Sequence, residues 1–397
     1  MTIPQETIPK SGQCWPAKRT AFLIIHGIGE QLRFEILDEF AASCWHSLEV
    51  LNENSSISGS HVLRTIDGRL DHAVVLARSD SEPSPVEFRE YYWADKAERL
   101  VDLGAIGQWL MDISEAAQRY YKENEDLAAR YSSDHVPAFS GRKFKRHWYL
   151  RYLGWSFRLL SFLPSSVIGW VLRWLSPIFF FLNPLFRWIR AELIGYVGDI
   201  VVYTASDERS QYHQAREAIL NGAVQAIRGM LDDPAVFQVV VAGHSLGSVI
   251  AYDALNHINQ AMNTGEISPM LAKKIHGFVT FGSPLDKIAF FFREHTPEDE
   301  YLRRQILDHY HSFKAKPLDE YHNPRTLSNP LQRYLEHVEW VNFWDRNDPI
   351  SGCLDFYAVD ENIELSMGKS ITETHTWYLQ SGEMTGTLLK KMINSAP

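Results

Sequence analysis

A serine with a glycine two residues to either side, Gly243-His244-Ser245-Leu246-Gly247, closes the apolar run Val239-Val240-Val241-Ala242 and passes directly into Ser248-Val249-Ile250-Ala251-Tyr252. A β-branched run, a tight turn and a helical pattern form the setting in which such a serine acts as a nucleophile. The turn is sharp enough that the residues two before and two after the serine must be small, which Gly243 and Gly247 supply. Its hydroxyl then projects above the sheet, and the start of the following helix favours negative charge developing beside it.

A serine hydroxyl needs a base to take its proton and an acid to orient that base. Eight histidines follow Ser245, so residue type alone does not select one. His375 is singled out by its place in Thr374-His375-Thr376-Trp377-Tyr378, just before the last helical pattern. Loops at strand ends carry catalytic groups in open α/β sheets. The acid is expected between the two, after a strand. Asp348, opening Asp348-Pro349-Ile350-Ser351 beyond the alternating run Val338–Trp344, meets that condition. Asp345 and Asp286 remain alternatives.

Stabilising an oxyanion takes two backbone N–H donors. One is expected from Leu246, which follows the nucleophile. The other is expected from His26-Gly27-Ile28-Gly29, where the apolar run Ala21–Ile25 ends, with Ile28 as the donor. Gly27 and Gly29 let the backbone approach a substrate there, and His26 reads as a brace for the loop rather than a proton carrier.

The elements that must position these groups follow from periodicity. Strands are predicted at 21–25, 61–77, 86–93, 237–241, 274–281 and 338–344. Helices are predicted at 31–51, 95–131, 208–231 and 377–393. Strands alternating with helices predict an α/β fold around a mostly parallel central sheet. The chain order Ser245, Asp348, His375 is that of the α/β-hydrolase class.

Together, Ile25-His26-Gly27-Ile28-Gly29, Gly243-His244-Ser245-Leu246-Gly247, Phe281-Gly282-Ser283-Pro284, Asp348-Pro349-Ile350 and His375 resemble the lipase/esterase branch of the α/β-hydrolase superfamily. The chain is similar there to class-3 lipases and to the deacylases that trim lipid anchors. The resemblance covers residues 20–30 and 195–395. It implies hydrolysis of acyl esters through a covalent acyl-serine, with no cofactor and no metal.

What separates the two matching parts is unusual. Three regions are expected: 15–140, the first part of the core with the oxyanion loop and a polar helical insertion; 141–197, a basic, aromatic and apolar insertion; and 198–397, the rest of the core with nucleophile, acid and histidine. Within the insertion, Arg142, Lys143, Lys145, Arg146, Arg151 and Arg158 alternate with aromatic residues, and Leu159–Phe186 carries Arg173 as its single formal charge. The apolar stretches on either side of Arg173 are shorter than the ~20 residues of a spanning helix. A single span through both would place Arg173 near its centre. A re-entrant or interfacial hairpin at a membrane surface, formed by residues 141–190, fits better, with an apolar lid on the catalytic domain or a true span as the alternatives. Each of the first two sets greasy surface beside an acyl-ester site and points to a lipid-like substrate.

Composition bounds the rest. A formal net charge of −10 lacks the basic footprint of a nucleic-acid binder. Three scattered cysteines build neither a disulfide framework nor a zinc ribbon. The opening residues, with no basic–apolar pattern, are not expected to be a secretory signal. A cytoplasmic protein, peripheral or re-entrant on the inner face of a membrane, is therefore expected. Asp308-His309-Tyr310-His311 with His322 matches no zinc spacing. Acyl transfer by the same triad, peptide hydrolysis, and a non-catalytic docking module on a hydrolase fold are the competing functions; oligomeric state is left open.

Overall fold

The computed structural model describes residues 15–16, 18–27, 32–52, 56–66, 69–80, 85–97, 139–140, 143–144, 211–285, 312–314, 331–348, 350–354, 357–369 and 371–394. Eight strands form one sheet: β1 (Thr20–Ile25), β2 (Ile57–Ile66), β3 (Arg69–Ser79), β4 (Val86–Tyr91), β5 (Gln238–His244), β6 (Ile275–Phe281), β7 (Glu339–Asp345) and β8 (Glu361–Leu365). Their spatial order is β8-β7-β6-β5-β1-β4-β3-β2. The pairs from β8 through β5 and β1 to β4 are parallel, and β3 is antiparallel to both β4 and β2. The protein is thus an α/β protein with a mostly parallel sheet.

The strand patterns explain their places. Buried along its whole length, β5 reads as Gln-Val-Val-Val-Ala-Gly-His because parallel strands inside a sheet are covered on both faces. Ala21, Leu23 and Ile25 of β1 join one core with Val239 and Val241. Phe22 and Ile24 join the other with Val240 and Ala242, as a two-residue period requires. Helices α2 (Gln211–Asp232) and α3 (Leu246–Thr264) cover the first face, and α1 (Glu35–Leu51) and α4 (Gly382–Asn394) the second. The result is three layers. Of the first fourteen residues of α3 thirteen are buried, so α3 is a core helix rather than an amphipathic one.

Two expectations are corrected. The strand read at 61–77 is a hairpin, β2 paired to β3 with Ile66 opposite Arg69. Between these two lies Asp67-Gly68, the dipeptide that favours two-residue hairpin turns. The helix read at 377–393 is a single 3-10 turn, Tyr378–Gln380, followed by α4 after an extended Ser381. Strand β8 escaped periodicity reading because it lies at the sheet edge and is exposed along most of its length. Of the helix expected at 95–131 the structure describes Ala94–Ala97. The insertion at 141–197 lies outside the described residues apart from Lys143–Phe144, which pairs with Phe139–Ser140. Among the described residues no helix is long and apolar enough to cross a membrane.

This topology has a switch point. β1 leads by way of α1 and the β2–β3 hairpin to β4 on one side, while its neighbour β5 leads through α3 to β6 on the other. Adjacent parallel strands whose connections diverge open a crevice at their carboxyl ends, where ligands bind in such sheets. His26-Gly27 and Ser245 stand at that switch point.

Entry into α1 is unusual. Phe34 holds a left-handed backbone at φ 72°, rare for a bulky side chain. Its own side chain provides no cap. Instead Glu90 of β4 reaches across, and its Oε2 accepts the Phe34 N–H at 2.9 Å, while Glu35 Oε2 accepts that of Leu32 at 3.1 Å. Burial pushes the Glu90 carboxyl up to about 7, with Glu35 adding to the rise and Phe34 N–H and Arg33 opposing it.

Candidate active site

The turn between β5 and α3 places Ser245 at φ 51° and ψ −127°, a backbone combination that glycine alone adopts without strain. Its two neighbouring glycines are steric necessities. A Cβ on Gly243 would lie 2.4 Å from Ser248 Cα, and one on Gly247 would lie 2.1 Å from the Ile25 carbonyl oxygen. The elbow therefore packs backbone against backbone on β1. Ser245 N–H donates to Phe281 O at 3.1 Å and Ser248 N–H to Ser245 O at 3.0 Å. Ser248 Oγ also donates to Ser245 O (2.5 Å) and lies 2.7 Å from Ser283 Oγ, which fastens the elbow to the turn after β6.

Two distant side chains converge on this turn and form a relay with Ser245. His375 Nε2 lies 2.9 Å from Ser245 Oγ. On the other side of the ring, Nδ1 lies 2.9 Å from Asp348 Oδ2. Because a carboxylate only accepts, Nδ1 carries the proton and Nε2 offers its lone pair to the serine hydroxyl. All three residues are buried. Burial alone would raise the Asp348 carboxyl. The His375 hydrogen bond and charge, Ile350 N–H on Oδ1 (2.8 Å) and Tyr378 O–H outweigh it and hold the group well below the usual carboxylate range.

Between the alternative acids the geometry discriminates. Asp345 accepts Asn347 N–H through Oδ1 and Met367 N–H through Oδ2, both at 2.8 Å, so it ties the β7 turn to the segment after β8. Asp348, not Asp345, reaches His375. Asp286 lies outside the described residues.

His26 has the arrangement of a brace. Its Nδ1–H donates to Gly27 O at 2.8 Å, its Nε2 accepts Trp93 N–H at 3.0 Å, and its carbonyl accepts Trp93 Nε1–H at 2.9 Å. The His26 and Trp93 rings stack in parallel at 4.9 Å. Burial keeps His26 neutral, its pKa lowered to about 4. Gly27 lies against the elbow: a Cβ there would stand 2.7 Å from Ser245 Cβ. Ile28 and Gly29 lie outside the described residues. Leu246 opens α3, so its N–H is among the four that a helix leaves without an internal acceptor.

Sequence reasoning missed two contributors. His244, the residue before Ser245, donates Nε2–H to the His375 carbonyl at 2.9 Å and stacks on Phe281. Burial, with His375 beside it, lowers its pKa to about 3, and its Nδ1 is buried without a partner among the described residues. Tyr378 is fully buried and donates its O–H to Asp348 Oδ2 at 2.9 Å. No pattern announced Tyr378, which read as the opening of the last helix. His244 was visible as the second residue of the motif, but its bond to the His375 backbone was not.

No group of three metal-capable side chains occurs among the described residues. Compared with protein-family profiles, curated proteins and solved structures, the chain matches none of them.

Proposed function

We propose that this protein is a serine hydrolase of the α/β-hydrolase type that cleaves acyl esters of lipid-like substrates through an acyl-serine. The observation that carries the reading is the unbroken relay Ser245 Oγ–His375–Asp348, with both links at 2.9 Å, on a strained strand-to-helix turn. A buried hydroxyl aligned on a neutral imidazole that a carboxylate orients is the arrangement that activates a serine.

In this mechanism Ser245 Oγ attacks the ester carbonyl carbon while its proton passes to His375 Nε2. The new imidazolium is stabilised by ionised Asp348. The oxyanion accepts from Leu246 N–H and, in this reading, from Ile28 N–H. Collapse breaks the carbon–oxygen bond to the alcohol, which leaves with the proton from Nε2. Water then attacks the acyl-serine, gives a proton to Nε2, and the acid departs as that proton returns to Ser245. His26, Gly27, Gly243 and Gly247 hold the loops that make this approach possible. No step calls on a metal or a cofactor.

The lipid-like substrate and a location on the inner face of a membrane rest on the basic, aromatic and apolar sequence 141–190, and are supported by the exposure of Leu32 and Phe34 just beyond the His26 loop. Fluorophosphonate labelling tests the activity. The native protein is expected to label, and Ser245→Ala and His375→Ala to abolish labelling. A native protein that stays unlabelled overturns the hydrolase in favour of a docking module. Co-sedimentation with anionic vesicles tests the membrane surface, and an equal amount bound to neutral and anionic vesicles speaks against it.

A further inference from the structure

The Asp348 carboxylate has a third donor that the relay itself does not require. Oδ2, the oxygen that accepts His375 Nδ1–H, also accepts Tyr378 O–H at 2.9 Å. The Tyr378 oxygen in turn accepts Asp345 N–H at 3.1 Å and sits 2.9 Å from Ser351 Oγ. With its own proton committed to Asp348, the Tyr378 oxygen is the acceptor of the Ser351 hydroxyl. The phenol thus has one donor and two acceptor bonds, its full capacity. Its ring is locked by packing against Phe281 at 6.1 Å and His244 at 6.2 Å, inside the core shared with α4.

We propose that Tyr378 is a positioning residue of the catalytic relay, which pins Asp348 Oδ2 against His375 Nδ1 and draws off part of the charge by which Asp348 stabilises the imidazolium; the inference rests on the serine-hydrolase reading above. Two effects follow from one bond. First, Oδ2 cannot rotate away from His375, because Tyr378 and Ile350 N–H hold the two carboxylate oxygens from different directions. Second, a donor shared on Oδ2 draws off part of the negative charge that would otherwise stabilise imidazolium. Without it the same carboxylate oxygen would hold the Nδ1 proton more strongly. Burial and the neighbouring Asp348 charge both raise the Tyr378 phenol, so it stays protonated and keeps donating throughout the range in which such an enzyme works.

The test is the rate of fluorophosphonate labelling of the full chain as a function of pH, from about pH 5 to about pH 9, for native protein and Tyr378→Phe. The plateau rate is expected to fall ~10-fold and the acid limb to move up by about half a unit to one unit. Loss of packing or of a merely structural hydrogen bond lowers thermal stability but leaves the acid limb in place. A plateau loss with an unmoved limb therefore overturns the inference. Ser351→Ala, which weakens the phenol as a donor without touching Asp348, is the second variant. It is expected to shift the limb in the same direction by a smaller amount, and it decides the matter if Tyr378→Phe does not fold: an unmoved limb overturns the inference. Native protein that does not label at any pH instead overturns the hydrolase reading on which this role depends.

Discussion

Replacing Ser245 by glycine and by alanine separates the strain of the elbow from its chemistry. Both variants lose the hydroxyl and its hydrogen bond to His375, so that loss cancels between them. At an ordinary buried position the glycine variant would be the weaker. It gives up about 0.5–1 kcal/mol in backbone entropy and about 0.8 kcal/mol for the buried methyl, together about 1.5 kcal/mol. Ser245, however, sits at φ 51° and ψ −127°, and a side-chain-bearing residue in glycine-only space carries strain at the upper end of about 1–3 kcal/mol. Glycine releases that strain. Ser245→Gly is therefore expected to be more stable than Ser245→Ala by about 1 kcal/mol, the reverse of the usual order. Urea unfolding followed by tryptophan fluorescence reads this as a midpoint about 0.3 M higher for the glycine variant at a common slope. A glycine variant weaker than the alanine variant by about 1.5 kcal/mol would refute a strained nucleophile turn.

Three further outcomes follow from the carboxylates. Asp348→Asn is expected to lower the labelling rate by about 10³–10⁴-fold with the serine still present, because the amide can donate to Nδ1 and favours the wrong tautomer. Asp348 is held below its unfolded pKa, so its contribution to stability is full above about 4 and is lost as pH falls below that. Native protein should lose urea stability on that descent more steeply than Asp348→Asn, and parallel curves would count against the ion pair. Glu90 has the opposite sign. Its folded pKa is raised to about 7, so stability present below its unfolded value of about 4.3 drains away as pH rises through 7. Glu90→Gln keeps an acceptor for Phe34 N–H without the charge, and should exceed the native protein by about 1–2 kcal/mol at about pH 8, with the advantage gone at about pH 4. Equal midpoints at both pH values would mean that Glu90 is not raised.

Much of the fold was legible locally. The run at β5 and the pattern at β6 appear in the chain within a few residues of where the structure ends them. Where reading failed, a short-range signal was misjudged or missing. The apparent single strand at 61–77 is two strands paired as a hairpin, and the edge strand β8 hid its register because three of its five residues are exposed and Leu365 alone is fully buried. The candidate site divides the same way. Ser245 and the glycines at either side announce themselves, since the steric demands of a five-residue turn are met within those five residues. His375 and Asp348 followed from chain order, but Asp345 stayed an alternative until its two oxygens were found to accept backbone N–H groups, from Asn347 in the β7 turn and from Met367 after β8.

What the sequence determined by itself is the tight turn at Ser245, the alternation of strands and helices, and the order of Ser245, Asp348 and His375 along the chain, all of which can be read without knowing how the strands pair. What only the tertiary structure decided is which partners meet across long separations: Trp93 against His26, Glu90 at the entrance of α1, Tyr378 on Asp348, and His244 on the backbone of His375. Those contacts depend on the sheet order, which sets β1 beside β5 and brings the loops after β7 and β8 together at one edge. A hydrogen bond between residues far apart in sequence leaves no periodicity in the chain; it exists only once the strands between have been paired.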